Sequence, residues 1–248
     1  MTQVPGSALR ASGIRRGLAA FGVAVLGTAA ASAVVAPPAE AVPQRQRLVQ
    51  LLNDHGARSA PKASARRVMS VPGRRPLTRV RTVLPELDRV EARNGKTWVR
   101  VALPGRPNSS TGWIKAAGTV PTFTPWHLSI GLNSRTVSVY RYGKRIRRYS
   151  AVVGAPSTPT PRGRFFIEEA VALTSSDAGG PFALATSSRS NVLQEFNGGP
   201  GQIAVHGRNL LGDPLGTAAS HGCVRLTTKA ITWLSARIGA GVPLIVRQ

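Results

Sequence analysis

The sequence predicts a mainly β protein with a single late helix, and three observations predict it. Short segments alternate apolar and polar residues with the two-residue period of strands. The 26 Gly and 19 Pro break the chain into many turns rather than long helices. Only one stretch near the end keeps helical spacing: Ile231, Leu234 and Ile238, at i, i+3 and i+7.

Residues 42–61 are polar and basic with one short helical stripe, Leu48, Leu51 and Leu52, and residues 62–76 are rich in Arg and Pro. Residues 42–76 are therefore expected to be a linker with a short helix. From 77 to 120 the pattern changes. Val80–Val83 and Thr97–Val101 alternate, Pro104-Gly105-Arg106-Pro107-Asn108 is a turn-rich loop, and Gly112-Trp113-Ile114 is another short strand. This spacing suits a small β-barrel, and it resembles the SH3-like modules of bacterial wall enzymes. Pro121 and Pro125 bracket a short connector to a second domain over 126–247. There the strands are 127–132, 136–140, 146–153, 164–171 and 202–206. Thr227 or Thr228 can cap the helix, Gly239 and Gly241 stop it, and Pro243–Val246 is a final strand. The long polar stretch 172–201 is left unassigned.

The chain carries 33 Lys and Arg against 10 Asp and Glu. Such a balance points to a polyanionic partner or to a bias toward Arg codons. The N-terminus narrows the choice. Arg10, Arg15 and Arg16 precede an uncharged apolar run from Gly17 to Val35, and Ala39-Glu40-Ala41 is a small-x-small cleavage pattern. Residues 1–41 are read as a secretory signal peptide, with an uncleaved membrane anchor as the alternative. The expected location is secreted, at the cell wall. An exported chain has no nucleic acid to meet, so anionic cell-wall polymers are the expected polyanion. The basic half before Pro125 is expected to hold the protein to them, leaving a chain that begins near Pro125 able to act on small substrates.

Cys223 is the only cysteine. A lone thiol in an exported protein is inert, paired between chains, or reactive. Its neighbours favour reactivity. It lies in Ser220-His221-Gly222-Cys223-Val224-Arg225-Leu226, and His206-Gly207 ends a strand just upstream. A thiol attacks as thiolate, and histidine is the usual group that takes its proton. If the segment is extended, His221 shares a face with Cys223, while His206 approaches from a neighbouring strand. Gly222 removes bulk beside the sulfur, so that the Gly222 and Cys223 amides can face a developing oxyanion. Zinc is the competing use of two His and one Cys, but the spacing matches no metal site and Asp213 is the sole nearby carboxylate.

The His-Gly…Ser-His-Gly-Cys-Val-Arg-Leu arrangement resembles the catalytic motif of the YkuD-type L,D-transpeptidases, over roughly residues 126–247. Pro159-Thr160-Pro161-Arg162-Gly163-Arg164-Phe165 is similar to a loop of the same family. The resemblance implies a β-sandwich catalytic domain, with Cys223 as nucleophile and His206 as general base, oriented by the Gly207 carbonyl. It further implies that His221 shapes the pocket, that Gly222 and Cys223 form the oxyanion hole, and that Arg225, Ser220 and Gly207 contact substrate. The implied reaction joins third residues of peptidoglycan stem peptides through a Cys thioester and releases D-alanine, with no metal or organic cofactor. Carbapenem-type inhibitors are expected to acylate the thiol. L,D-carboxypeptidase or wall-protein attachment activity at the same site is the alternative.

Overall fold

In the computed structural model, which describes residues 42–92, 95–174, 176–196 and 198–248, backbone pairing builds two large sheets and a two-stranded one. The segment read as a signal peptide lies outside the described residues. The first sheet takes β1 (Gln46–Leu51), β2 (His55–Arg58), β3 (Arg67–Val71), β4 (Val83–Glu91), β5 (Thr97–Ala102), β6 (Thr111–Lys115) and β7 (Thr119–Thr124) in the order β3-β2-β6-β5-β4-β1-β7. Every pairing in it is antiparallel.

Residues 42–76 are thus not a linker with a helix. β1 lies between β4 and β7, so both of its edges are hydrogen-bonded, and successive residues Leu48 and Val49 are buried on its two faces. Val49 and Leu51 join the core of the first sheet. Leu48 turns the other way, toward Gly241 of the second half, where an added Cβ would come within 3.1 Å of it. A strand buried on both faces loses its alternation, and the leucines that remain look helical. Further on, Arg75 is buried and ion-paired to Glu168. The strand expected at Val80–Val83 begins only at Val83, after Arg79 with φ 60°.

The second sheet contains β8 (Trp126–Gly131), β9 (Thr136–Arg141) and β10 (Lys144–Ser150). A two-residue β11 (Val153–Gly154) then leaves it to pair with β15 (Ala218–Ser220). The chain returns through β12 (Gly163–Ala172), β13 (Phe182–Arg189), β14 (Gln202–His206), β16 (Val224–Arg225) and β17 (Pro243–Arg247), giving the order β10-β9-β8-β17-β12-β13-β14-β16. β8 with β17 and β14 with β16 run parallel. The one helix among the described residues is α1 (Thr228–Ser235). Thr227 caps it by accepting the Ala230 amide at 3.2 Å, and Ala230, Ile231 and Leu234 bury its inner face. Ile238 completes that stripe just beyond its end.

Strand β12 serves both cores. Its consecutive residues point to opposite faces: Phe165 packs in the core of the second sheet and Phe166 in that of the first. Beside it Glu168, fully buried, pairs with Arg75 and, at 3.1 Å, with Arg189. Glu169 accepts from the amide and hydroxyl of Thr78 at 3.0 and 2.7 Å. Taking charges out of water costs several kcal/mol per ion, so removing one partner of such a group typically costs about 3–5 kcal/mol.

Candidate active site

Strands β14 and β16 pair in parallel, with Val205 opposite Val224 and His206 opposite Arg225. Both valines are fully buried in the core. Alternation then sends Ala204 and His206, together with Cys223 and Arg225, to the opposite face. There a cavity of about 180 Å³ is lined by His206, Cys223, His221 and Arg225, with Ile203, Leu193 and Phe196 among the apolar walls. The ring of Phe196 stacks on that of His221, with centroids 5.6 Å apart.

Cys223 sits on a turn between β15 and β16 whose backbone is held atom by atom. Gly222 has φ 116°, a conformation that side chains rarely adopt. The Ser220 hydroxyl accepts the Gly222 amide at 3.1 Å and donates to the Cys223 carbonyl at 2.5 Å. The Thr160 hydroxyl donates to the Gly222 carbonyl at 2.7 Å and accepts the Gly154 amide at 2.9 Å. The Thr158 hydroxyl donates to the Ser220 carbonyl at 3.1 Å.

Three expectations change here. Ser220, expected to contact substrate, is instead buried, with its hydroxyl spent on the turn and outside the cavity lining. The Gly222 amide is not free to face an oxyanion, because it already donates to the Ser220 hydroxyl. Gly207 is also buried, packed so closely on Gly180 that an added Cβ would lie 1.9 Å from its carbonyl oxygen. Its part is to accept a hydrogen bond from His206 Nδ1 at 2.8 Å. A carbonyl only accepts, so Nδ1 carries the proton and the neutral ring keeps its lone pair on Nε2. Arg225 lines the cavity, and its guanidinium is ion-paired to Asp213, which ties down the 208–217 loop.

Burial sets the charge state. It pushes the Cys223 thiol up, against a smaller opposite pull from the Ala204 amide, which donates to Sγ at 3.4 Å. It pushes His206 down, an effect that hydrogen bonds from the ring to the backbone of Gly207 and Gly179 partly offset, while Arg225 adds to it. Both directions favour the uncharged forms of the thiol and the imidazole. Among the described residues no group of three or more His, Cys, Asp or Glu is placed to hold a metal ion.

Thr160, Gly179 and Phe196 were not singled out in the sequence. Thr160 lies inside the Pro159–Phe165 motif, which was its only signal. Gly179 and Phe196 lie in the unassigned stretch 172–201. An added Cβ on Gly179, whose φ is 90°, would lie 2.4 Å from His206 Nδ1.

Fold and site together define a mainly β enzyme domain with one thiol and two imidazoles lining a shared cavity. Residues 126–246 match the family model of the YkuD L,D-transpeptidase catalytic domain. The YkuD protein of Bacillus licheniformis is 26% identical over 153 residues, covering 59% of this chain and 84% of its own. That of Bacillus subtilis is 24% identical over 148 residues, 60% of this chain and 74% of its own. Among solved structures, L,D-transpeptidase 3 from Mycobacterium tuberculosis in complex with a faropenem-derived adduct is 15% identical with a TM-score of 0.41, covering 62% of this chain and 91% of its own. Residues 126–246 are thus similar to the catalytic domain of the YkuD-type L,D-transpeptidases, a family of acyltransferases.

Proposed function

We propose that the protein cross-links peptidoglycan stem peptides at their third residues through a thioester on Cys223. The supporting observation is that β14 and β16 bring Cys223 and His206 to one face, in one cavity, with the imidazole lone pair on Nε2. His206 takes the thiol proton as the sulfur attacks the carbonyl carbon between a third-position diamino acid and its terminal D-alanine. The C–N bond breaks, the proton passes to the D-alanine amine, and a thioester remains. The amine of a second stem then attacks the thioester, His206 takes its proton, and the thiol is restored. With the Gly222 amide engaged, the Cys223 amide is the oxyanion donor of this turn. General-base catalysis of this kind is worth about 10²–10⁴-fold.

Such a substrate calls for a location outside the membrane, which the apolar N-terminal run supports, and the basic excess suits retention by anionic wall polymers. A carbapenem offers the same sulfur a strained amide. Intact-mass spectrometry with imipenem, and with a tetrapeptide stem, tests the reading. Wild type should gain one adduct and release D-alanine, and Cys223→Ser should do neither. An unmodified wild-type thiol after long exposure to both would sink it. Product mass separates cross-linking from hydrolysis.

A further inference from the structure

The loop between β13 and β14 supplies Ser190, Leu193, Phe196 and Gly201 to the lining of the cavity. The loop's large side chains are only partly buried: Val192 is 52% exposed, and Phe196, though stacked on His221, is 45% exposed. Its ends close through Ser190 N–H to the Gly201 carbonyl at 2.8 Å. The Ser190 hydroxyl accepts the amides of Val192 and Leu193 at 3.2 and 3.0 Å.

What fixes the loop comes from the other half of the chain. Arg106, in the turn between β5 and β6, donates through Nη2 to the carbonyls of Ser190 and Leu193 at 2.7 and 3.1 Å, and through Nη1 to that of Pro200 at 2.9 Å. One planar cation thus gathers carbonyls from both ends of the loop, a geometry that a guanidinium provides and an ammonium does not. Asn108 reinforces it by accepting the Arg189 amide at 2.8 Å and donating to the Arg189 carbonyl at 2.7 Å. The Gly105 amide donates to the Ser187 carbonyl at 3.0 Å. At Gly201 an added Cβ would lie 2.1 Å from the Leu193 carbonyl and 3.2 Å from Arg106 Nη2, so the loop closes around the cation with no room for a side chain.

We propose that Arg106 is a positioning residue: the first sheet, through this guanidinium, sets the shape of the loop that grips the donor stem peptide. The proposal rests on the reading of the site given above. Cys223 and His206 are held independently of it, by Ser220, Thr160 and Gly207. Loss of Arg106 should therefore weaken substrate capture without disarming the thiol.

The test compares wild type with Arg106→Ala, Arg106→Lys, Phe196→Ala and the Arg106→Ala/Phe196→Ala double variant of the full chain. With a tetrapeptide stem, Arg106→Ala should raise KM about tenfold, the size expected for lost charge-assisted hydrogen bonds, and change kcat much less. Arg106→Lys should recover less than half of that loss. The double variant should be no worse than the poorer single one, since both act through one loop. Alkylation of Cys223 by iodoacetamide should stay at the wild-type rate. Hydrogen exchange in 190–201 should quicken, and this arm needs no catalysis, so it reads the loop even if the proposed reaction is wrong. Unchanged loop exchange in Arg106→Ala would overturn the proposal. So would an unchanged KM in a wild type that turns over stem peptide, or a fall in thiol alkylation matching a general loss of melting temperature.

Discussion

The hydroxyl of Thr160 donates to the carbonyl of Gly222 at 2.7 Å, so the turn that carries Cys223 hangs from a loop far earlier in the chain. The same oxygen accepts the Gly154 amide, and Thr160 is buried. Thr160→Val keeps the shape and removes both bonds, leaving a buried carbonyl and amide unpaired. The loss should be about 1–3 kcal/mol, seen as a lower melting temperature, with slower acylation by imipenem. Thr160→Ser should behave like wild type. A Val variant that melts with wild type would show that the bond carries no stability.

Gly179 should matter to catalysis without touching substrate chemistry. A methyl group there would be strained by its φ of 90° and would displace the His206 ring. Gly179→Ala should cut kcat by about 10²-fold if the ring leaves its working position. Gly212→Ala, where nothing lies within 4 Å of the added carbon, is the control and should keep full activity. Turnover of stem peptide by the two variants decides the matter.

Burial raises the Cys223 pKa and lowers that of His206, which gives alkylation a definite pH profile. The rate with iodoacetamide should climb continuously between about pH 6 and 9, as expected for a thiol whose anion is scarce at neutrality. A flat rate across that range would instead mean a standing thiolate–imidazolium pair.

His127 on β8 is 3% exposed, and among the described residues neither ring nitrogen has a hydrogen-bond partner. Burial holds its pKa below the ordinary value. As pH falls, the unfolded chain takes up this proton first, near its unfolded pKa of about 6.5. Stability from the buried neutral ring is therefore full above that value and is lost as pH drops through it toward the lower folded pKa. His127→Phe should flatten the fall in melting temperature between about pH 7 and 5, leaving the slope due to His206. An unaltered slope in that variant would assign the acid sensitivity elsewhere.

Legibility in the sequence followed burial geometry. Strands with one buried and one more open face, such as β14, announce themselves by alternation, and α1 by its apolar stripe and threonine cap. β1 was lost because Leu48 and Val49 are buried on its two faces. β13 was lost because its middle is Thr186-Ser187-Ser188, polar yet buried, with Thr186 donating to the Ile203 carbonyl at 2.6 Å and Ser187 accepting the Phe166 amide at 3.1 Å. At the site, Cys223 and His206 stood out because their chemistry is rare. The duties of Ser220, Gly222 and Gly207 depend on which neighbour takes which proton, and that is decided only when the turn closes. Arg106 was one arginine among many until folding set it beside three carbonyls.

Phe165 and Phe166, neighbours on β12, commit one strand to two interiors. A chain cut near Pro125 would expose Phe166, strip Glu168 of Arg75 and leave Glu169 without Thr78. The halves are accordingly unsuited to modular exchange. Calorimetry should record a single cooperative transition, and a graft of the thiol-bearing half onto a foreign partner would need a substitute wall for Phe166 and a new cation for Glu168 before it could stay soluble.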